Sequence, residues 1–453
     1  MSKSITNELN LTIESLNDQF KGVGYSGRYK ITVDKTLPGE VVTFSYNPKR
    51  PPKDRIVLEK LIRRSELRIK PPCPYFQECG GCQLQHVDYP TQLRLKHQYM
   101  VEKLKEFPLL QRLEIHPPQG MEINFYYRNK TQLPFQMMDG KVSYGLYRKG
   151  THQVIPIDHC LVENREANLI LNLVKNWVQS FHIPLYRERD GQGSLRYVVI
   201  RKGQFTNQIM VILIIATPSL PHLEELLQEL QQKIPSLKSV IINYNPAGTN
   251  AILGKSSRVI WGEPFIEEHL KGSRFKIFPN TFFQINSSQM DHIIDKIRND
   301  AGLKSHQQVL ELYCGTGTIG LLIADLVKQL VGVDNNATSV AAAQENMKLN
   351  KIQNTSFQLL DAETESLKDL PSHFSPEVIM VDPPRKGLSA HLINEIVRMN
   401  PELIIYLSCN PVTFFQNISD FIKSGYHCED IFLYDMFPHT SQIESLAFAY
   451  KNS

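Results

Sequence analysis

Gln308-Val309-Leu310-Glu311-Leu312-Tyr313-Cys314-Gly315-Thr316-Gly317-Thr318-Ile319-Gly320 runs from an apolar stretch straight into a Gly-x-Gly-x-x-Gly loop. The length and branched residues of the first half predict a buried parallel strand. The glycines permit a tight turn and close backbone approach to a ligand, and an apolar helix follows to Val327. The rhythm then repeats. Leu330-Val331-Gly332-Val333-Asp334 feeds a helix from Ala337 to Asn350, and further strands are expected at Thr355 to Asp361, Glu377 to Asp382 and Leu403 to Leu407. A helix from Ser287 to Asn299 leads in. This alternation predicts a doubly wound α/β domain that binds ligands at the carboxyl ends of its strands.

Four acids, Glu311, Asp334, Asp361 and Asp382, stand at or near the carboxyl ends of separate strands. A dinucleotide must seat its pyrophosphate at the glycine loop, where Glu311 would repel it. S-adenosylmethionine has no phosphate and carries a cationic sulfonium and amine, so carboxylates suit it better than they suit NAD. Asp382-Pro383-Pro384-Arg385-Lys386-Gly387 follows its strand at once, and the prolines stiffen the turn, leaving the carboxylate free to face a ligand. Methylators of amines place an aromatic residue after Asn/Asp-Pro-Pro, and Arg385 stands there instead. The strand ending at Leu407 runs into Ser408-Cys409-Asn410-Pro411. Cys409 is therefore placed as a nucleophile, although a free cysteine is also a common small filler of cores.

At 453 residues, two or three domains are expected. The first residues, Met-Ser-Lys-Ser-Ile-Thr-Asn-Glu, lack an apolar signal core, and no run reaches the roughly 18 residues of a membrane helix. A cytoplasmic monomer is expected. Net charge is only +4, so nucleic-acid binding has to rest on clustered charge. Between Leu9 and Arg68, short alternating runs (Leu11 to Leu16, Tyr29 to Val33, Glu40 to Phe44) broken by glycines predict a small closed β-barrel. A one-sided basic run follows, with Lys49, Arg50, Lys53, Arg55, Lys60, Arg63, Arg64, Arg68 and Lys70, and suits a phosphate backbone. From Tyr126 to Lys276 a mixed α+β unit is expected. Its Tyr126, Tyr127, Arg128, Lys130, Tyr144, Tyr147, Arg148 and Lys149 interleave rings and charges that could stack bases or serve as ordinary amphipathic strands.

The seven cysteines, an odd number without an export signal, argue against a disulfide framework. Cys73, Cys79 and Cys82, with Gly80 and Gly81 between the last two and His86 nearby, call for a metal centre. A fourth thiolate is wanted, and Cys160 is nearest in sequence among Cys160, Cys314, Cys409 and Cys428. Zinc and an iron–sulfur cluster both remain open. The spacing is not that of radical S-adenosylmethionine enzymes.

Together these residues resemble the RNA (uracil-5-)-methyltransferases of the RumA/TrmA type. The resemblance rests on the cysteine set, Phe282-Phe283-Gln284-Ile285-Asn286, the loop from Glu311 to Gly320, Asp382-Pro383-Pro384-Arg385, Ser408-Cys409-Asn410-Pro411 and His439-Thr440-Ser441-Gln442-Ile443-Glu444-Ser445. The start, with Leu37-Pro38-Gly39-Glu40, is similar to the RNA-binding TRAM domain. The resemblance implies a TRAM/OB-like β-barrel over residues 1–70, a central RNA-binding α+β domain with a [4Fe–4S] cluster over 71–276, and a Rossmann-like S-adenosylmethionine-dependent methyltransferase domain over 277–453. It implies cluster ligands at Cys73, Cys79, Cys82 and Cys160, and cofactor contacts from Gln284, Tyr313, Thr318, Asp334, Asp361 and Asp382. Relatives often carry Asn at the positions of Thr318 and Asp361, and Glu at that of Asp334.

The implied reaction is methylation of carbon 5 of a uridine in RNA. Carbon 5 is a poor nucleophile until a thiolate, here Cys409, adds at carbon 6. The resemblance makes Glu444 the base that later removes the carbon 5 proton, with His439 as a rival. The target base must leave its stack. The cysteines point to 23S ribosomal RNA ahead of the transfer-RNA T-loop. Methylation of cytosine or of an amine, a nonenzymatic RNA-binding factor and a metal-sensing regulator are the competing readings.

Overall fold

A computed structural model describes residues 7–46, 60–148, 151, 153–249, 251–365, 367, 370 and 374–452. Lys49, Arg50, Lys53, Arg55 and Lys149 lie outside the described residues. The glycine-loop strand, Gln308–Leu312, sits inside a nine-stranded sheet. Five strands run parallel in the order Thr355–Leu359, Gln329–Asp334, Gln308–Leu312, Val378–Val381 and Leu403–Ser408. Glu444–Lys451 then joins antiparallel, followed by Asp430–Tyr434. Successive strand residues feed opposite faces: Val309 enters one core with Met290 and Ile294, and Leu310 enters another with Ile404 and Phe414. Each such side chain contributes about 1.5–3 kcal/mol on full burial. The helix expected to reach Val327 ends at Ile323 and passes into a short 3-10 turn, and the strand expected to reach Asp361 stops at Leu359.

The sheet recruits chain from well outside residues 277–453. Helix Tyr89–Leu104 starts on Asp88, whose side chain accepts the Thr91 N–H at 2.8 Å, with Pro90 in the first turn. Its Met100 and Leu104 enter the same core as Phe414, and Glu114–Ile115 adds an edge strand beside Asp430–Tyr434. These residues fall within the expected central unit, 71–276, yet pack on the C-terminal sheet. The expected boundary after residue 276 also divides a strand, Ser273–Ile277, whose hairpin partner is Ile266–Leu270. Phe275 and Ile277 belong to the core beneath the glycine loop. Apolar burial, not chain order, draws these lines.

The rest of the middle region is α+β. Seven strands take the order Val154–Pro156, Lys141–Tyr147, Lys130–Met138, Leu195–Lys202, Ile209–Ile215, Leu237–Tyr244 and Ser256–Gly262. Helices Arg165–Ser180 and Leu223–Lys233 contribute Ile170, Val174, Leu226 and Leu230 to its core. Of the rings left open between base stacking and ordinary packing, Tyr144 is buried in this core and Tyr127 in the small cluster with Cys82. At the N-terminus, Asn7–Thr12, Val41–Tyr46 and Lys60–Arg63 form one sheet, and Ser15–Leu16, Gly22–Ser26 and Tyr29–Val33 another. They share a core of Leu11, Ile13, Ile31, Val33, Val42 and Phe44. The run from Leu11 to Leu16, expected as one strand, breaks after Thr12 because Ile13 and Glu14 bond to Glu40 and Val23 across the two sheets. Among the described residues, no helix is long and apolar enough to cross a membrane.

Candidate active site

Antiparallel pairing of Leu403–Ser408 with Glu444–Lys451 sets Ser408 opposite Ser445. Cys409 leaves one strand as Glu444 enters the other, so two groups 35 positions apart in sequence meet at the sheet's carboxyl edge. Asp382 leaves the neighbouring strand and accepts a 2.8 Å hydrogen bond from the Gln284 amide. Burial raises Asp382 to about 7 and Glu444 well above the usual carboxylate range, with Asp382 adding its repulsion to Glu444. Burial, then Glu444 and Asp382, push the Cys409 thiol up to about 11, and Arg385 opposes them. The Arg385 carbonyl is held by the Asn410 amide at 2.7 Å, which fastens the two loops together. In the sequence Arg385 stands out only as the residue that replaces an aromatic. Its place beside Cys409 comes from this loop contact, and a basic residue following Asp-Pro-Pro was the available signal.

The glycine loop is built from behind. Gly317 has φ +73°, and a Cβ there would come 2.6 Å from the Phe357 ring. A Cβ on Gly320 would lie 2.2 Å from a Glu311 oxygen. Glu311 uses that approach to accept the Gly320 N–H at 3.2 Å. It is buried under the loop and, through burial and the charges of Asp382 and Asp334, raised to about 8. The expectation that Glu311 repels a phosphate at the pocket is therefore corrected: its role is to support the loop. Asp334 accepts the Gly315 N–H at 3.0 Å and the Asn336 N–H at 2.8 Å. Thr318 is buried, with its hydroxyl 3.0 Å from that of Thr316. Asp361 lies in the turn after its strand and accepts the Glu363 N–H at 3.1 Å. Glu363, not singled out in the sequence, accepts from the Tyr313 hydroxyl at 2.5 Å and lies 3.6 Å from the Lys386 ammonium.

Cys73, Cys82 and Cys160 meet around Phe76, Tyr127 and Val162, while Cys79 is close enough to Cys73 to raise its thiol. Burial raises all four, Cys82 to about 12, so holding them as thiolates takes a cationic centre. Among the described residues, the three-residue group with ligand atoms all within 4.8 Å of one another is Glu114, His116 and Asp430, not the cysteines. Lys35, from the N-terminal unit, donates to the carbonyls of Phe76, Gln77 (2.8 Å) and Cys79 (3.2 Å).

Between these parts lies a cleft of about 970 Å³, lined by Phe20, Lys35, Cys79, Arg148, Arg385 and Cys409 among others. His439 is not free to act as a base. It is buried, its Nε2 is 3.1 Å from Asn124 Oδ1, its Nδ1 is 3.2 Å from the Gln92 amide, and its ring stacks on Phe125 at 4.1 Å. Burial and nearby Lys96 lower it to about 4, so it braces the turn as a neutral ring.

A sequence model of the tRNA (Uracil-5-)-methyltransferase family matches residues 88–452. An RNA methyltransferase of Halalkalibacterium halodurans is 36% identical over 437 residues, covering 96% of this chain and 94% of its own. One from Clostridium acetobutylicum is 34% identical over 442 residues, with 97% and 96% covered. Among solved structures, the Pyrococcus abyssi tRNA (uracil-54, C5)-methyltransferase in complex with S-adenosyl-L-homocysteine superposes with a TM-score of 0.77 at 28% identity. That superposition covers 97% of this chain and 99% of the other. With the match running through the glycine loop, Asp382, Cys409 and Glu444, the chain belongs to the tRNA (uracil-5-)-methyltransferase family.

Proposed function

We propose that this protein methylates carbon 5 of one uridine in a structured RNA, with Cys409 as nucleophile and Glu444 as the base. The observation that carries this reading is the convergence of Cys409, Glu444, Asp382 and Arg385 at one sheet edge, opening on a large cleft. Bound S-adenosylmethionine supplies a methyl group on a cationic sulfonium, and Gln284, Tyr313, Thr318, Asp334, Asp361 and Asp382 are assigned to hold it. The carboxylates favour that cation, and its charge counters their upward push on the thiol.

Cys409 thiolate adds to carbon 6 and drives the C5–C6 π electrons toward oxygen 4. Arg385 supports the thiolate, and Asp382 orients the pyrimidine. Carbon 5 then takes the methyl group as its sulfur–methyl bond breaks, the electron pair leaving with S-adenosylhomocysteine, and the carbonyl at oxygen 4 re-forms. Glu444 removes the carbon 5 proton, the C5–C6 double bond re-forms, and the C–S electron pair returns to Cys409. Cytosine and amine methylation fit less well, because an amine needs no thiolate. A nonenzymatic RNA-binding role leaves the paired Cys409 and Glu444 without use.

Cys73, Cys79, Cys82 and Cys160 are assigned to a [4Fe–4S] cluster, a reading supported by the meeting of Cys73, Cys82 and Cys160 in one small cluster with Cys79 close to Cys73. Residues 1–70 are assigned as a TRAM-like RNA-binding barrel, 71–276 as the cluster-bearing central domain and 277–453 as the catalytic domain, with the helix Tyr89–Leu104, the strand Glu114–Ile115 and the hairpin 266–277 packing on the catalytic side. The substrate we favour is 23S ribosomal RNA. Transfer RNA is the second reading, favoured by the likeness to the Pyrococcus abyssi tRNA enzyme. The test is labelling of total RNA from a strain lacking the protein, with labelled S-adenosylmethionine, followed by nuclease mapping and mass spectrometry. Label on 5-methyluridine in one ribosomal fragment, absent with Cys409→Ala, is expected. Label on transfer RNA keeps the chemistry and changes the substrate. Label on cytosine or an amine overturns the reading.

A further inference from the structure

The turn 437–442, which leads into Glu444, has no secondary structure of its own to hold it. It is gripped from three sides. Helix Tyr89–Leu104 supplies Lys96, whose ammonium donates to the Gln442 carbonyl at 2.8 Å, and Gln92, whose side-chain oxygen accepts the His439 N–H at 3.1 Å. Tyr127 donates its hydroxyl to the Pro438 carbonyl at 3.2 Å. The third grip comes from the cysteine segment. The backbone N–H groups of Gln83 and Leu84 both donate to the His439 carbonyl, at 2.9 and 3.0 Å.

Gln83 follows Cys82 directly, and its side chain spans two segments more than 350 positions apart in sequence. Its amide nitrogen donates to the Gly80 carbonyl at 2.9 Å, inside the loop between Cys79 and Cys82. Its amide oxygen accepts the Ser441 N–H at 3.1 Å. Ser441 is three residues before Glu444, and both Gln83 and Ser441 line the cleft that holds Cys409. One planar amide thus ties the cysteine loop to the turn carrying the assigned base. Beside it, Gln85 donates to the Cys82 sulfur at 3.2 Å and accepts the Cys73 N–H at 3.2 Å, so the same short segment is also bonded to two of the cysteines.

We propose that Gln83 is a positioning residue: it registers the 437–444 segment against the Cys79–Cys82 loop, so that a filled cysteine centre keeps Glu444 in place for proton removal. The inference rests on the uridine C5 reading for its kinetic part, and its structural part stands apart from it. Proton removal comes after methyl transfer. A displaced Glu444 therefore leaves the Cys409–carbon 6 bond in place with carbon 5 already methylated.

The test uses the metal-replete full-length protein with Gln83→Leu and Gln83→Glu. Gln83→Leu loses both side-chain bonds, while Gln83→Glu keeps the acceptor facing Ser441. Turnover on RNA is expected to fall about tenfold in Gln83→Leu, in line with the loss of two side-chain hydrogen bonds at about 0.5–1.5 kcal/mol each, with cofactor affinity unchanged. A covalent protein–RNA species should build up on a denaturing gel, and Gln83→Glu should recover most of the turnover. Hydrogen exchange in the peptide 437–444 is expected to quicken by about the same factor in Gln83→Leu, and in wild type after iron chelation. The peptide 311–320 should be unaffected in both. Wild-type turnover in Gln83→Leu overturns the proposal, as does unchanged exchange at 437–444. If the wild type itself methylates no uridine, the function reading fails, and the exchange result still decides the brace.

Discussion

The glycine loop and the cleft at Cys409 lie on the same sheet edge and are built in opposite ways. Residues 308–334 form one continuous strand, loop, short helix and strand. Glu311 supports Gly320, and Asp334 holds Gly315, across at most 19 positions. The cleft gathers Lys35, the cysteine segment, Arg385, Cys409 and the turn before Glu444 from across the whole chain. A local device is limited by sterics within one turn. A non-local one is limited by how well separate segments stay in register, and buried polar contacts such as Lys96 with Asp435 hold that register here.

The sharpest test of the cleft is Cys409→Ala, expected to lower uridine methylation by about four orders of magnitude or more, with cofactor binding retained. Retained turnover would detach the cleft from the chemistry. Next is Lys96→Met. Lys96 is fully buried, its ammonium 2.6 Å from Asp435, and the change strands that carboxylate and the Gln442 carbonyl. Unfolding stability should drop by about 3–5 kcal/mol in a denaturant titration. A drop below about 1 kcal/mol would show that the register is held elsewhere.

Within the loop, Gly317→Ala should weaken binding of S-adenosylhomocysteine by about 1–3 kcal/mol in calorimetry, through its positive φ and the nearby Phe357 ring. Unchanged affinity would mean that the loop adapts, and the contrast with the cleft would weaken. The smallest effect is electrostatic. Burial and then Glu444 raise the Cys409 thiol, so removing that charge lowers its pKa and increases the thiolate fraction at a given pH. Alkylation of the Cys409 peptide by iodoacetamide at mildly alkaline pH should run a few-fold faster in Glu444→Gln, and in both proteins should rise with pH toward the thiol's value of about 11. An equal rate would mean that Glu444 carries no charge at that pH or lies too far from the thiol to act on it.

The same contrast explains what is legible in the sequence. The strands from Gln308 to Ser408 and the helix at Ala337 follow apolar periodicity and glycine placement, which act within a few residues. Whether Tyr127 and Tyr144 stack bases or pack as ordinary rings, both open in the sequence, turned on packing against other segments. Glu311 carried the right residue type at the right spacing, yet burial changed its task from facing a ligand to supporting a loop. His439 has the chemistry of a base, but Gln92, Asn124 and Phe125 occupy its ring.

By itself the sequence determined the α/β alternation and the Gly-x-Gly-x-x-Gly turn, because each is a property of neighbouring residues. Only the tertiary structure decided that helix Tyr89–Leu104 and the hairpin ending at Ile277 serve the catalytic sheet, and that Arg385 stands beside Cys409. It alone joined Gln83 to the turn before Glu444. Those contacts close between segments far apart in the chain, and their free energy comes from burying apolar surface and pairing buried polar groups once the segments meet, which no local pattern encodes.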